Sequence, residues 1–129
     1  MKARILAAMI AAVLVNFTAH AQQAAPTSRL DEIVSRGILR VGMTGDYKPF
    51  THLDKATQKF SGFDVDMAEA LGKALGVKVE YVHTGWPKLM KDFEADQFDI
   101  AMGGVSVTLD RQKKGFFSMP IMREGKTPI

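Results

Sequence analysis

Apolar residues are continuous in one stretch of this 129-residue chain, from Ile5 to Val15, and periodic or alternating after it. The continuous run follows Lys2 and Arg4 and precedes Ala19-His20-Ala21, with small residues at both positions a signal peptidase reads. That order predicts a cleavable signal peptide over residues 1–21. A membrane span needs roughly 20 apolar residues, and this run has about eleven. Residues 22–27, polar and Ala/Pro-rich, are expected to form a flexible lead-in.

The folded pattern starts at Ser28, which stands three residues before Asp31 in capping-box spacing. Leu30, Ile33 and Val34 share one helical face, and Gly37 ends the turn, so a short helix is expected. Ile38 to Met43 is β-rich and runs into Thr44 to Phe50, a loop in which Gly45 and Pro49 forbid regular structure. Thr51 to Ser61 is polar and predicts a hairpin or surface excursion.

From Gly62, the run Phe63-Asp64-Val65-Asp66-Met67 leads into Ala68, Leu71, Ala74 and Leu75 at helical spacing. Asp64 and Asp66 suit the helix N-terminus and Gly76 its C-cap. Val77 to Val82 alternates as a strand until His83-Thr84-Gly85 breaks it. Trp86-Pro87 opens another helix, with Leu89, Met90 and Phe93 on its buried face. Phe98 to Met102 is the third strand, Gly103 to Val107 the loop at its end, and Thr108 the N-cap of a short helix carrying Asp110 and Arg111. This alternation predicts an α/β layer with a mainly parallel sheet flanked by helices. Ligands of such sheets sit beyond the carboxyl ends of the strands. The candidate site loops are therefore Thr44 to Phe50, His83 to Trp86 and Gly103 to Arg111.

Composition changes the picture in three ways. The length suffices for one modest core. The formal net charge of +3 shrinks once the leader is set aside, because without Lys2 and Arg4 the chain has 15 basic against 14 acidic side chains, a net +1. No basic patch argues for nucleic acid. The absence of cysteine excludes a disulfide scaffold, a thiolate nucleophile and a zinc-thiolate site. The six methionines after residue 21 are read as core filling.

Several chemistries find no support. His52 and His83 lack a carboxylate or second histidine at ligand spacing, so no metal is expected. Gly104-Val105-Ser106-Val107-Thr108 stops one glycine short of a nucleophile elbow. Neither a dinucleotide fingerprint nor a Walker sequence occurs. The loops instead offer what a small carboxylate needs: Arg111 for a bidentate contact, Ser106 and Thr108 for hydroxyl or backbone donors. Tyr47, Phe50 and Trp86 supply an apolar wall. Arg111 is equally compatible with a solvated helix position paired to Asp110 or Glu124, while for Trp86 and Phe50 local context favours core packing. Asp46 is read as a loop cap and Asp99 as a strand-end acceptor.

The pieces Gly37-Ile38-Leu39-Arg40-Val41-Gly42, Pro49-Phe50, Gly62-Phe63-Asp64-Val65-Asp66, Phe98-Asp99-Ile100 and Thr108 with Arg111 resemble the periplasmic solute-binding proteins of family 3. Within that family the chain is most similar to the cyclohexadienyl dehydratases. The matching residues are Thr44-Gly45-Asp46-Tyr47-Lys48-Pro49-Phe50, Trp86-Pro87-Lys88-Leu89-Met90, Asp99-Ile100-Ala101-Met102 and Gly125-Lys126-Thr127-Pro128-Ile129. The resemblance implies a type II periplasmic-binding-protein-like lobe over residues 28–129, truncated at the crossover, with the second lobe missing. It implies a periplasmic location and a decarboxylative dehydration of prephenate to phenylpyruvate and of arogenate to phenylalanine, without cofactor or metal. Arg111 would clamp a substrate carboxylate, assisted by Thr108 and Ser106, with Tyr47, Phe50 and Trp86 lining the cleft. Two other readings stand beside it: the lobe of an amino-acid receptor for an ABC importer, and an inert or regulatory half-domain. After signal cleavage no membrane span is expected. An isolated lobe is expected to expose an apolar cleft face and to associate.

Overall fold

The computed structural model describes residues 28–123. The expected signal peptide (1–21), the lead-in (22–27), Glu124 and the Gly125 to Ile129 motif lie outside the described residues.

Helix α1 (Arg29–Arg36) begins at the expected capping box: Ser28 Oγ accepts from Asp31 N–H, and Ser28 N–H donates to Asp31 Oδ2 at 3.1 Å. Gly37 closes it in the left-handed conformation, φ 71°, where a Cβ would be strained. Only Ile33 of the expected apolar face is buried, while Leu30 and Val34 stay 52% and 51% exposed. The helix lies against β1 (Ile38–Met43), and two turns bring one apolar side chain into the core.

Strand β1 is central in a three-stranded parallel sheet of order β5-β1-β6, with β5 at Lys78–His83 and β6 at Ile100–Ala101. Register runs from Ile38 opposite Lys78 to Met43 opposite His83, so β5 sits one residue later than alternation places it. The third strand is shorter than Phe98 to Met102: Val41 pairs with Ile100 and Gly42 with Ala101. Phe98 turns inward instead, filling the space above Gly42, where an added Cβ would lie 2.6 Å from its ring.

The Thr51 to Ser61 excursion is a hairpin of β3 (Thr51–Leu53) and β4 (Phe60–Ser61). The loop before it contributes β2 (Asp46–Tyr47), giving a small antiparallel sheet of order β2-β3-β4. Helix α2 (Phe63–Leu75) packs on the parallel sheet through Val65, Ala68 and Gly72, capped by Gly76. Gly72 lets it approach closely, because a Cβ there would meet Val79 Cγ2 at 2.5 Å. Leu71 is half-buried and Ala74, expected on the buried face, is exposed.

Helix α3 (Leu89–Glu94) starts later than Trp86-Pro87 predicts, since Lys88 and Leu89 N–H both donate to Gly85 O and form a turn first. Helix α4 (Leu109–Gln112) starts after Thr108, as predicted. The core of Ile33, Leu39, Val41, Met43, Val65 and Ala68 fixes the sheet. Because its three strands are parallel, Met43, His83 and Ala101 end on one edge, where the three candidate loops meet.

Candidate functional site at the carboxyl edge of the sheet

Strand β1 hands over at Thr44-Gly45 to β2, which places Tyr47 38% exposed at the rim, while Phe50 is buried beneath it. Their ring centroids are 5.3 Å apart. Trp86, in the turn after β5, meets Tyr47 edge-on at 5.9 Å and 82°. Its indole N–H donates to Asp46 Oδ1 at 3.0 Å, so the carboxylate expected to cap its own loop instead latches the first loop to the second. Beneath the second loop, buried Thr84 donates its hydroxyl to Asp92 Oδ2 at 2.6 Å and ties α3 to the end of β5. That hydrogen bond, with Lys88 nearby, holds the Asp92 carboxyl below the usual carboxylate range.

The third loop brings the cation. Arg111 Cζ lies 5.9 Å from the Trp86 ring centroid, a cation–π distance. Its Nη1 donates to the Ser106 carbonyl at 2.9 Å, and its backbone N–H to Thr108 Oγ1 at 3.3 Å. Ser106 thus meets Arg111 through its carbonyl, and the Thr108 hydroxyl serves as the helix cap. Asp110, the alternative partner for Arg111, pairs with Lys113 instead. All six sequence-chosen residues belong to one edge, and Trp86 joins the aromatic wall to the guanidinium. The arrangement can hold a planar carboxylate beside an unsaturated or aromatic ring.

Asp64 is the residue whose part in the site the sequence reading missed. It is 4% exposed at the start of α2, and its Oδ2 accepts Gly104 N–H at 2.8 Å. A signal was available: Asp64 stands four and eight residues before Ala68 and Gly72 and so shares their buried face. Gly104 has φ +69°, and a Cβ on it would lie 2.6 Å from Tyr47 Cε1.

Asp99 is buried at the opposite, amino edge, among Arg29, Arg36 and Arg40. It accepts from Arg40 Nη2 at 2.8 Å and from Arg40 N at 2.8 Å. Burial pushes its carboxyl up, but the hydrogen bonds and charge of Arg40 and the charge of Arg36 outweigh burial, and the net direction is down. His83 Nε2 lies 3.2 Å from Thr44 O. Among the described residues no three His, Asp or Glu side chains gather as a metal site, and no helix is long and apolar enough to cross a membrane.

Residues 39–128 match the family model for bacterial extracellular solute-binding proteins, family 3. The chain is 52% identical over 111 residues to the cyclohexadienyl dehydratase of Pseudomonas aeruginosa, covering 86% of this chain and 41% of that protein. Among solved structures it resembles an ancestral cyclohexadienyl dehydratase at 61% identity and TM-score 0.72, over 76% of this chain and 40% of that one. It also resembles domain 1 of the T. maritima protein TmArgBP in its arginine-bound form, at 35% identity and TM-score 0.60, over 64% and 65% of the two chains. The chain thus spans about two fifths of the length of the dehydratases it matches.

Proposed function

Since this chain belongs to the bacterial extracellular solute-binding proteins of family 3, we propose that it is the first lobe of a periplasmic cyclohexadienyl dehydratase and forms the cleft wall that grips the substrate. The observation that carries this reading is Arg111, held at cation–π distance from Trp86 and steadied by the Ser106 carbonyl at the carboxyl edge of the sheet. The 52% identity to a dehydratase supports the choice of reaction.

In prephenate and arogenate the ring carbon bearing a carboxylate loses carbon dioxide, and the electron pair of the broken C–C bond enters the ring. As it does so the ring C–O bond breaks, the hydroxyl takes a proton and leaves as water, and the ring becomes aromatic. The protein must fix a carboxylate and present an acid to the leaving hydroxyl. Arg111 supplies the first through its planar fork. Tyr47 and Trp86, backed by the buried Phe50, hold the flattening ring. The acid is assigned to the opposing lobe that the resemblance implies, and to no residue of this chain.

The test is turnover of prephenate to phenylpyruvate by the natural protein carrying this sequence, purified from its host. Arg111→Ala is expected to lower kcat/KM by about a hundredfold or more, the order for truncating one partner of a desolvated charge pair, with unchanged circular dichroism. Full activity in Arg111→Ala would remove that residue from the site.

A second reading, an amino-acid receptor of an importer, is favoured by the arginine-bound domain 1 of TmArgBP, which this chain resembles over about two thirds of both lengths. It predicts calorimetric binding of an unmodified amino acid with no consumption of prephenate.

A further inference from the structure

Asp64 touches both walls of the site at once. Its backbone N–H donates to the Phe50 carbonyl at 3.0 Å, and its side chain accepts Gly104 N–H at 2.8 Å. Phe50 carries the aromatic wall through its contact with Tyr47, and Gly104 begins the loop that leads to Ser106, Thr108 and Arg111. The neighbouring Phe63 N–H donates to Pro49 O, so the first turn of α2 is stitched to the aromatic loop. We propose that Asp64 is a positioning residue of this site, a clamp that sets the distance between the aromatic wall and the carboxylate-binding loop. The inference rests on the reading of Arg111 as the carboxylate anchor.

The loop needs such a clamp. Gly103 and Gly104 both have positive φ, 128° and 69°, and two successive glycines leave the peptide between them free to rotate. No side chain of their own can anchor it. A buried carboxylate accepting the amide makes a charge-assisted hydrogen bond, stronger than a neutral one, and selects a single orientation. A helix-terminal role does not account for the burial, because Asp66 offers the same negative charge in the same turn from an exposed position. Nor does Asp64 cap the helix, whose N-cap Gly62 makes no side-chain cap bond.

The experiment has two readouts on the full chain. Amide hydrogen exchange reports the clamp without any ligand: Gly104 N–H is expected to exchange about a hundredfold slower than an unprotected amide. Exchange should become fast in Asp64→Ala and slow again in Asp64→Asn, whose carboxamide oxygen still accepts. Calorimetry with phenylpyruvate reports the consequence: affinity should fall about tenfold or more in Asp64→Ala, as for loss of one charge-assisted hydrogen bond, and mostly return in Asp64→Asn. Asp66→Asn, which removes the exposed charge alone, should bind as the unsubstituted chain does.

Fast exchange at Gly104 in the unsubstituted chain overturns the proposal, as does undiminished affinity in Asp64→Ala or an equal loss in Asp66→Asn. Should Asp64→Ala not fold, the exchange rates of the unsubstituted chain and of Asp64→Asn decide. If the unsubstituted chain binds no phenylpyruvate, the carboxylate reading fails, and the exchange data still decide whether the clamp exists.

Discussion

At the scale of single residues, the site depends on side chains that are absent as much as on those present. Gly104 packs under Tyr47 and Phe50, and Gly104→Ala would drive a Cβ to 2.6 Å from the tyrosine ring at a φ of +69°. Displacing Tyr47 would also disturb its edge contact with Trp86, the chain's one tryptophan. The expected outcome is a changed tryptophan emission spectrum, with a stability loss of about 1–3 kcal/mol in urea unfolding. Asp99 is the opposite case, a buried charge that three arginines make tenable. Asp99→Ala strands those arginines together and should cost roughly 2–4 kcal/mol at pH 7 by thermal or urea unfolding. The folded-state pKa of Asp99 is lowered, so its contribution is complete above the unfolded value near 3.9 and is lost as pH falls through the folded value. Measured stability should therefore drop below about pH 4, and that drop should be shallower in Asp99→Asn. Neither environment can be read from the residues alone, because Asp99 and Arg40 are brought together across 59 positions.

At the scale of elements, what was legible was local. Ser28 with Asp31, Gly37, Gly76 and Thr108 act on backbone groups within a few residues, and each caps the helix end its spacing predicts. Ser28→Ala should accordingly lower stability by about 1 kcal/mol, read as a shift of the urea midpoint with an unchanged slope. Strand extent and helix faces answered to neighbours instead. The third strand shrank to two residues where Phe98 turned toward Gly42, and Leu30 and Val34 stayed half exposed because α1 brings only Ile33 into the core. The Trp86-Pro87 start slipped to Leu89 because the Gly85 carbonyl captures the next two amides. That slip left Trp86 in a turn, where its indole reaches Asp46 and Tyr47.

At the scale of the whole molecule, the described residues build a parallel sheet whose carboxyl edge carries the candidate site, with a small antiparallel sheet beside it and a poorly packed stretch near residues 109–122. Leu109, Phe116, Met119, Ile121 and Met122 are all exposed. A chain with these side chains in water should bind a hydrophobic fluorescent dye and sediment faster as concentration rises. The double substitution Phe116→Ser with Met119→Ser should reduce both signals, and undiminished dye binding would place the sticky surface elsewhere. Sequence by itself determined the α/β alternation, the helix caps, the family and the three loops that meet at the carboxyl edge of the sheet, since these follow from local periodicity, capping chemistry and short motifs. Only the tertiary structure decided that Asp46 latches Trp86, that Arg111 comes within cation–π distance of that indole rather than pairing with Asp110, and that Asp64 holds Gly104. Each of those contacts joins separate elements, and which of several chemically suitable partners meet is set by how the sheet and its helices pack.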